Sequence, residues 1–137
     1  MLPLLVTAAL IIHDGKILLT RRRDDVPYPG LWEFPGGKLE PAEDPRDCIV
    51  REIYEELGIT VSVGPVYDVI YHRYPERTVL VIVYVCRWTV GEVADLEVAE
   101  HRWVLPSDIA GYRLLPADVA LAERIGKEFV HADTSHL

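Results

Sequence analysis

The chain has 137 residues, half of them hydrophobic, which suits one compact domain with a proper core and leaves no room for a second. Its 14 Lys and Arg stand against 22 Asp and Glu, a formal net charge of -8, which argues against a nucleic-acid polymer as its main partner. An acidic chain still accommodates a small phosphate ligand where metal ions and a few local cations reverse the field, and no apolar run approaches a membrane span.

The opening "MLPLLVTAALII" lacks a basic leader and runs straight into His13-Asp14-Gly15-Lys16, so it is read as core strand rather than an export signal. Leu4 to Ile12 and Ile17 to Arg22 are β-like runs joined by Asp14-Gly15, a hairpin signal. Arg23 to Leu31 is loop. "LWEF" is a short strand stopped by Pro35-Gly36-Gly37, and Lys38 to Asp44 is loop again. A helix begins at Pro45 with Asp44 as its N-cap and ends near Leu57, because Gly58 sits where a helix C-terminal glycine belongs. Three strand-like runs follow, Thr60 to Val63, Val66 to Tyr74 and Thr78 to Trp88, the last two joined by Pro75-Glu76-Arg77. Gly91 to Glu100 is an acidic connection and His101 to Leu105 one more strand. Ser107 is placed to cap a short helical turn, and Pro116 to Val130 reads as the final helix. The pattern predicts a mixed α/β (α+β) domain over residues 1–130, helices packed over a mostly β core, with 131–137 a frayed tail. Cys48 and Cys86 read as lone buried thiols of a reducing compartment, and the expected location is the cytoplasm.

The stretch "GGKLEPAEDPRDCIVREIYEELGI", Gly36 to Ile59, crowds its carboxylates. On a wheel of about 100° per residue, Ile49, Val50, Ile53 and Leu57 share the core-facing side of the helix. Glu52, Glu55 and Glu56 fall together on another face, with Arg51 one turn before Glu55 to orient or partly neutralise it. Such a face is either a solvated helix surface or a holder of something positive. Hard oxygen ligands in a cluster suit Mg²⁺ or Mn²⁺. Arg21, Arg22, Arg23 and Lys38 flank the site as candidate phosphate contacts; the Arg run alone reads as a solvated strand end, and beside a metal site Arg22 becomes a phosphate or nucleotide contact. Phe34 is read equally as pocket wall or as core.

The stretch resembles the signature of the Nudix hydrolase family: Gly37, Glu43, Arg51, Glu52, Ile53, Glu55, Glu56, Gly58 and Ile59 fill its fixed positions over 37–59. With each residue type at under about one in ten, the seven non-aliphatic positions match by chance less than about once in ten million trials. "LWEFPGGKLE", the hairpin before it and the late "LLPAD" are similar to the MutT-like branch, so the resemblance covers about Leu4 to Phe129. It implies a mixed sheet sandwiched by helices and metal-dependent hydrolysis of a nucleoside triphosphate, with oxidised or otherwise modified forms such as 8-oxo-dGTP and cytosine nucleotides among the candidates, to monophosphate and pyrophosphate. It further implies that the Gly37 carbonyl, Glu52, Glu55 and Glu56 hold the metal, that Glu43 braces the loop and that Arg51 orients the glutamates. A further acid from the 92–100 connection is implied to complete the site. Glu97 is chosen over Glu92, Asp95 and Glu100. Glu52 is the expected base, with Glu97 second, and Glu52 and Glu56 are expected to face solvent.

Two other readings remain open: an ADP-ribose or nucleotide-sugar pyrophosphatase, with Pro75 as its slight support, and a non-catalytic nucleotide-binding module. The expected assembly is a monomer or homodimer. Asp118, in the first turn of the last helix, stands where MutT-like enzymes acting on 8-oxoguanine nucleotides carry Asn. It is read either as an ordinary helix-end acid or as a base reader. As an ionised, accept-only carboxylate it favours guanine or cytosine over uracil and thymine.

Overall fold

The computed structural model describes residues 2–129. Over that span the strands and helices follow the order β1 (Leu4–His13), β2 (Lys16–Arg21), β3 (Trp32–Glu33), β4 (Gly36–Lys38), α1 (Pro45–Leu57), β5 (Thr60–Arg73), β6 (Thr78–Val90), β7 (Glu100–Val104) and α2 (Val119–Phe129). Short 3-10 helices at Pro106–Gly111 and Pro116–Asp118 precede α2.

β1 is the organising strand. It runs parallel to β6 over Leu4 to Ile11 and antiparallel to β4 over Val6 to Ala8. β5 lies antiparallel on the far side of β6, while β2 carries β7 on one edge and β3 on the other. Both faces of β1 are covered, which is why its sequence is a continuous apolar run instead of an alternation. Ala8 and Leu10 pack with Leu121 and Ile125 of α2, and Ala9 and Ile11 pack with Ile49, Ile53 and Leu57 of α1. The two helices therefore sit on opposite faces of a mixed sheet, as expected.

α1 has the boundaries its sequence announces. Asp44 Oδ1 accepts from the Arg46 amide at 2.8 Å, Pro45 opens the helix, and Gly58 closes it at φ 71° with its N–H on Tyr54 O. Cys48 and Cys86 are buried free thiols. No described helix is long and apolar enough to cross a membrane.

Several local expectations are corrected. Asp14 and Gly15 do turn the β1–β2 hairpin with positive φ, but the two strands pair only at Ile12–Ile17 and His13–Lys16 before they part for different partners. Gly36-Gly37 does not stop a strand; it is one. β4 passes so near β1 and α1 that a Cβ on Gly36 would stand 2.1 Å from Thr7 O, and one on Gly37 2.4 Å from the Glu52 carboxyl carbon. Only glycine fits at position 36, where the clash is with backbone; a side chain at 37 would displace the Glu52 carboxyl. The two runs on either side of Gly64-Pro65 form a single bulged strand, β5, with irregularities between Val63 and Asp68. Ser107 caps nothing, since the 3-10 turn at Pro106–Gly111 has no side-chain cap. The last helix begins at Val119, after a 3-10 turn that carries Asp118, and Val130 with the 131–137 tail lies outside the described residues.

Candidate active site

The glutamate face of α1 is built around Arg51. Its Nε donates to Glu43 Oε2 at 2.8 Å and its Nη2 to Glu43 Oε1 at 2.9 Å, a two-point grip on the acid that the resemblance assigned to bracing. Glu43 Oε1 also accepts from the Glu40 amide at 3.0 Å, which closes the loop ahead of the helix. The Arg51 hydrogen bonds, then the Glu40 amide, hold the Glu43 carboxyl down at about 2. Arg51 Nη1 reaches Glu52 Oε1 at 2.9 Å and Glu55 Oε2 at 3.2 Å, and Nη2 reaches Lys38 O at 3.1 Å.

Glu52 and Glu56 do not face open solvent, contrary to expectation. The Glu52 side chain is only 16% exposed and lies against the Cα of Gly37, where a side chain would collide with it. Burial raises its pKa above the ordinary carboxylate value, with Glu55 and Glu97 adding to the rise and Arg51 opposing it. Glu56 turns inward. Its Oε2 is buried with no hydrogen-bond partner, and burial pushes the carboxyl well above its ordinary range, helped by the charges of Glu33, Glu52 and Glu97 and opposed by the Gly36 amide. An orphaned carboxylate oxygen among like charges is what a divalent cation would satisfy, and an all-oxygen donor set suits Mg²⁺ or Mn²⁺. The residues fit such an ion. They are not yet gathered around one point: Glu55 is 44% exposed and held by Arg51, and no group of three His, Cys, Asp or Glu among the described residues stands at coordinating geometry.

The acid connection supplies its candidate through the end of α1. Leu96 and Glu97 donate their amides to Glu56 O at 3.0 and 3.2 Å, and Ala94 donates to Leu57 O at 2.9 Å, so the last carbonyls of the helix anchor the loop. Glu97 stays exposed, with its charge felt at Glu52 and Glu56. Its rivals Asp95 and Glu100 have other partners, Asp95 on His101 Nδ1 at 2.5 Å and Glu100 on Arg21 and Arg102.

A pocket of about 370 Å³ is lined by Gly37 and the exposed Lys38 of β4 and, at its buried end, by Glu33, Phe34 and Asp118. A backbone bridge builds that end: Trp32 donates to Arg113 O and accepts from the Leu115 amide, which carries Asp118 up to β3. Asp118 is 4% exposed, and its Oδ2 accepts from the Phe34 amide at 3.3 Å. Burial, reinforced by Glu33, pushes it up to about 8, so at neutral pH it is a protonated acid and not the accept-only carboxylate of the sequence reading. Phe34 proves to be both core and pocket wall, 2% exposed in the cluster under α2. Arg22 lines the pocket but is committed to Glu33 Oε2 at 2.9 Å and Pro27 O at 2.7 Å, which leaves Lys38 and Arg77 as the exposed cations of the lining.

Sequence reasoning missed Glu33, Tyr74, Tyr28 and Arg77. The signal for Glu33 was an acid inside the apolar strand "LWEF". Tyr74 accepts from the Ala117 amide at 3.0 Å, and Tyr28 donates to Glu76 at 2.6 Å across the mouth; neither contact has a local signature.

The NUDIX domain family model matches residues 3–127. A CTP pyrophosphohydrolase of Escherichia coli (strain K12) is 41% identical over 122 residues, covering 86% of this chain and 87% of that protein. An 8-oxo-dGTP diphosphatase of Haemophilus influenzae is 30% identical over 124 residues, covering 90% and 91%. The crystal structure of a MutT protein from Methanosarcina mazei Go1 matches with a TM-score of 0.83 at 31% identity, over 92% of this chain and 95% of that one. With a family match over nearly the whole chain, and relatives of this kind aligned end to end, the protein belongs to the Nudix family and is a pyrophosphohydrolase of nucleotide derivatives, acting on phosphoric anhydride bonds.

Proposed function

We propose that the chain hydrolyses a nucleoside triphosphate to the monophosphate and pyrophosphate, with cytosine the preferred base, guanine forms next, and uracil and thymine last. The observation that carries this reading is the unlike acid pair at the buried end of the pocket. Protonated Asp118 offers one donor and one acceptor, while Glu33, held by Arg22, offers acceptors. Cytosine matches the pair: its N3 accepts from Asp118, and the two hydrogens of its amine reach Asp118 and Glu33. Guanine places N1–H and its amine on Glu33 and O6 on Asp118. Uracil and thymine set a second carbonyl against the Glu33 charge. The 41% identical relative named CTP pyrophosphohydrolase supports cytosine as the first of these bases.

Nudix hydrolases generally depend on a divalent metal ion. Here Glu52, Glu56, Glu97, Glu55 and the Gly37 carbonyl would hold it. When bound it supplies charge neutralisation on the phosphate oxygens and a more acidic water. The chain's own residues do the rest. Lys38 and Arg77 draw the phosphates into the mouth of the pocket, and the acid pair fixes the base. Glu52 Oε2, the oxygen that Arg51 Nη1 does not hold, takes the proton of the attacking water. Arg51 keeps the carboxylate aimed, and its bond to Glu43 keeps Arg51 in place.

Water attacks the β-phosphorus, and the nucleoside monophosphate leaves. Hydrolysis in isotopically heavy-oxygen water therefore places the label in pyrophosphate. Label in the monophosphate would overturn this geometry, and orthophosphate as the sole primary product would overturn the reaction. A screen of triphosphates with Mg²⁺ tests the base order, and Asp118→Ala flattens it.

A further inference from the structure

We infer that Thr7 and Cys48 are positioning residues, whose hydroxyl and thiol fix the Gly37–Lys38 peptide against the Glu52 carboxylate; this rests on the metal-site reading above. Both side chains are fully buried, Thr7 at 1% exposure on β1 and Cys48 at 0% in the first turns of α1. Their Oγ1 and Sγ atoms meet at 3.3 Å. Thr7 Oγ1 donates to Gly37 O at 3.3 Å, and Cys48 Sγ lies 3.4 Å from Lys38 O and 3.7 Å from Gly37 O. Thr7 donates to Gly37 O, Cys48 donates to Lys38 O, and Sγ accepts from Arg51 Nη2 at 3.8 Å, which leaves the hydroxyl and thiol in van der Waals contact with each other.

The backbone they hold has few pairings of its own. β4 is three residues long, two of them glycine, and its register rests on three pairings with β1. The Glu52 carboxyl carbon and oxygens would stand 2.4 to 2.7 Å from a Cβ on Gly37, so any drift of β4 is passed directly to Glu52. A buried hydroxyl costs free energy unless it bonds, and valine would fill the same space without that cost. What the hydroxyl and thiol add is a direction for two peptide carbonyls, one of them a proposed metal ligand.

The test measures Mn²⁺ binding to the full chain by electron paramagnetic resonance, beside turnover and melting curves. Thr7→Val and Cys48→Ala should each weaken Mn²⁺ binding about tenfold and lower kcat, with KM little changed. Thr7→Ser and Cys48→Ser keep a donor and should restore the wild-type affinity. Unchanged Mn²⁺ affinity in the valine and alanine variants overturns the inference, whatever happens to melting. So does equal weakening in the serine variants, because the effect would then be packing and not donation. Glu52→Gln separates the two readings: if it loses Mn²⁺ while Thr7→Val and Cys48→Ala retain it, the proposed function stands and this inference falls. A wild-type chain that binds no Mn²⁺ removes both.

Discussion

At α1, Glu52 and Glu55 of the helix and Glu43 of the loop before it share the guanidinium of Arg51, and the most tightly gripped of them, Glu43, is held down to about 2. In the pocket, Arg22 offsets the burial of Glu33, while Asp118 has the Phe34 amide and only the more distant charge of Arg22, and is pushed up to about 8. The same chemical group thus has two uses, set by surroundings. Where a cation is near and the face is partly wet, carboxylates are held in the charged form. Where burial dominates, a carboxyl is pushed toward its neutral form. Glu56 belongs to the first group by sequence and to the second by environment, buried and with its Oε2 unpartnered.

The largest expected effect breaks the helix side of this contrast. Glu52→Gln and Glu56→Gln should each lower turnover by roughly 10²- to 10⁴-fold at saturating Mg²⁺. Glu56→Gln should also raise the melting temperature of the metal-free protein, increasingly as pH rises, because it removes a buried carboxyl that is costly to ionise. Near-normal turnover in either variant sinks the site assignment. Next comes Arg51→Lys, which keeps the charge and loses the two-point grip on Glu43; turnover should fall about ten- to a hundredfold. Because Glu43 is held low, its contribution to stability is present above its ordinary value of 4.5 and lost as pH falls toward about 2. An acid melting series should show that loss in the wild type and a smaller one in Arg51→Lys.

How far each side could be foreseen follows from the same contrast. The acids of α1 lie within one helix, so spacing alone puts them on one face, and caps at Asp44 and Gly58 mark its ends. The pocket acids come from β3 and from a 3-10 turn far along the chain, joined by the backbone bridge of Trp32 with Arg113 and Leu115. No local pattern encodes that meeting. β4 was hidden for another reason: a glycine pair is read as a break, and only the closeness of Thr7 and Glu52 shows why a strand there must be glycine.

The pocket side is sharpened by a smaller effect. Asp118 is raised, so its contribution to stability is fully present below its ordinary value of 3.8 and lost as pH climbs through about 8. Asp118→Asn mimics the protonated acid at every pH. It should retain a preference of about tenfold for CTP over UTP, and should keep it above pH 8, where the wild type loses it. A variant whose base ranking tracks the wild type across that range would show that Asp118 does not read the base. The smallest effect lies at the mouth. Tyr28→Phe removes the bond to Glu76 and should raise KM about two- to threefold with kcat unchanged.

The parallel pairing of β1 with β6 has a kinetic consequence. Leu4 to Ile11 finds its partner Val79 to Cys86 more than seventy residues later in the chain. During synthesis the segment that becomes β1 leaves the ribosome early and waits, apolar and unpaired, until most of the protein has followed. Contacts of such long range make for slow folding, and a waiting apolar strand is an opportunity for aggregation. Neither β4, which leans on β1, nor the face of α1 behind it can settle before β6 arrives. Refolding this chain should therefore be sensitive to protein concentration, and fragments ending before Thr78 should lack the site altogether.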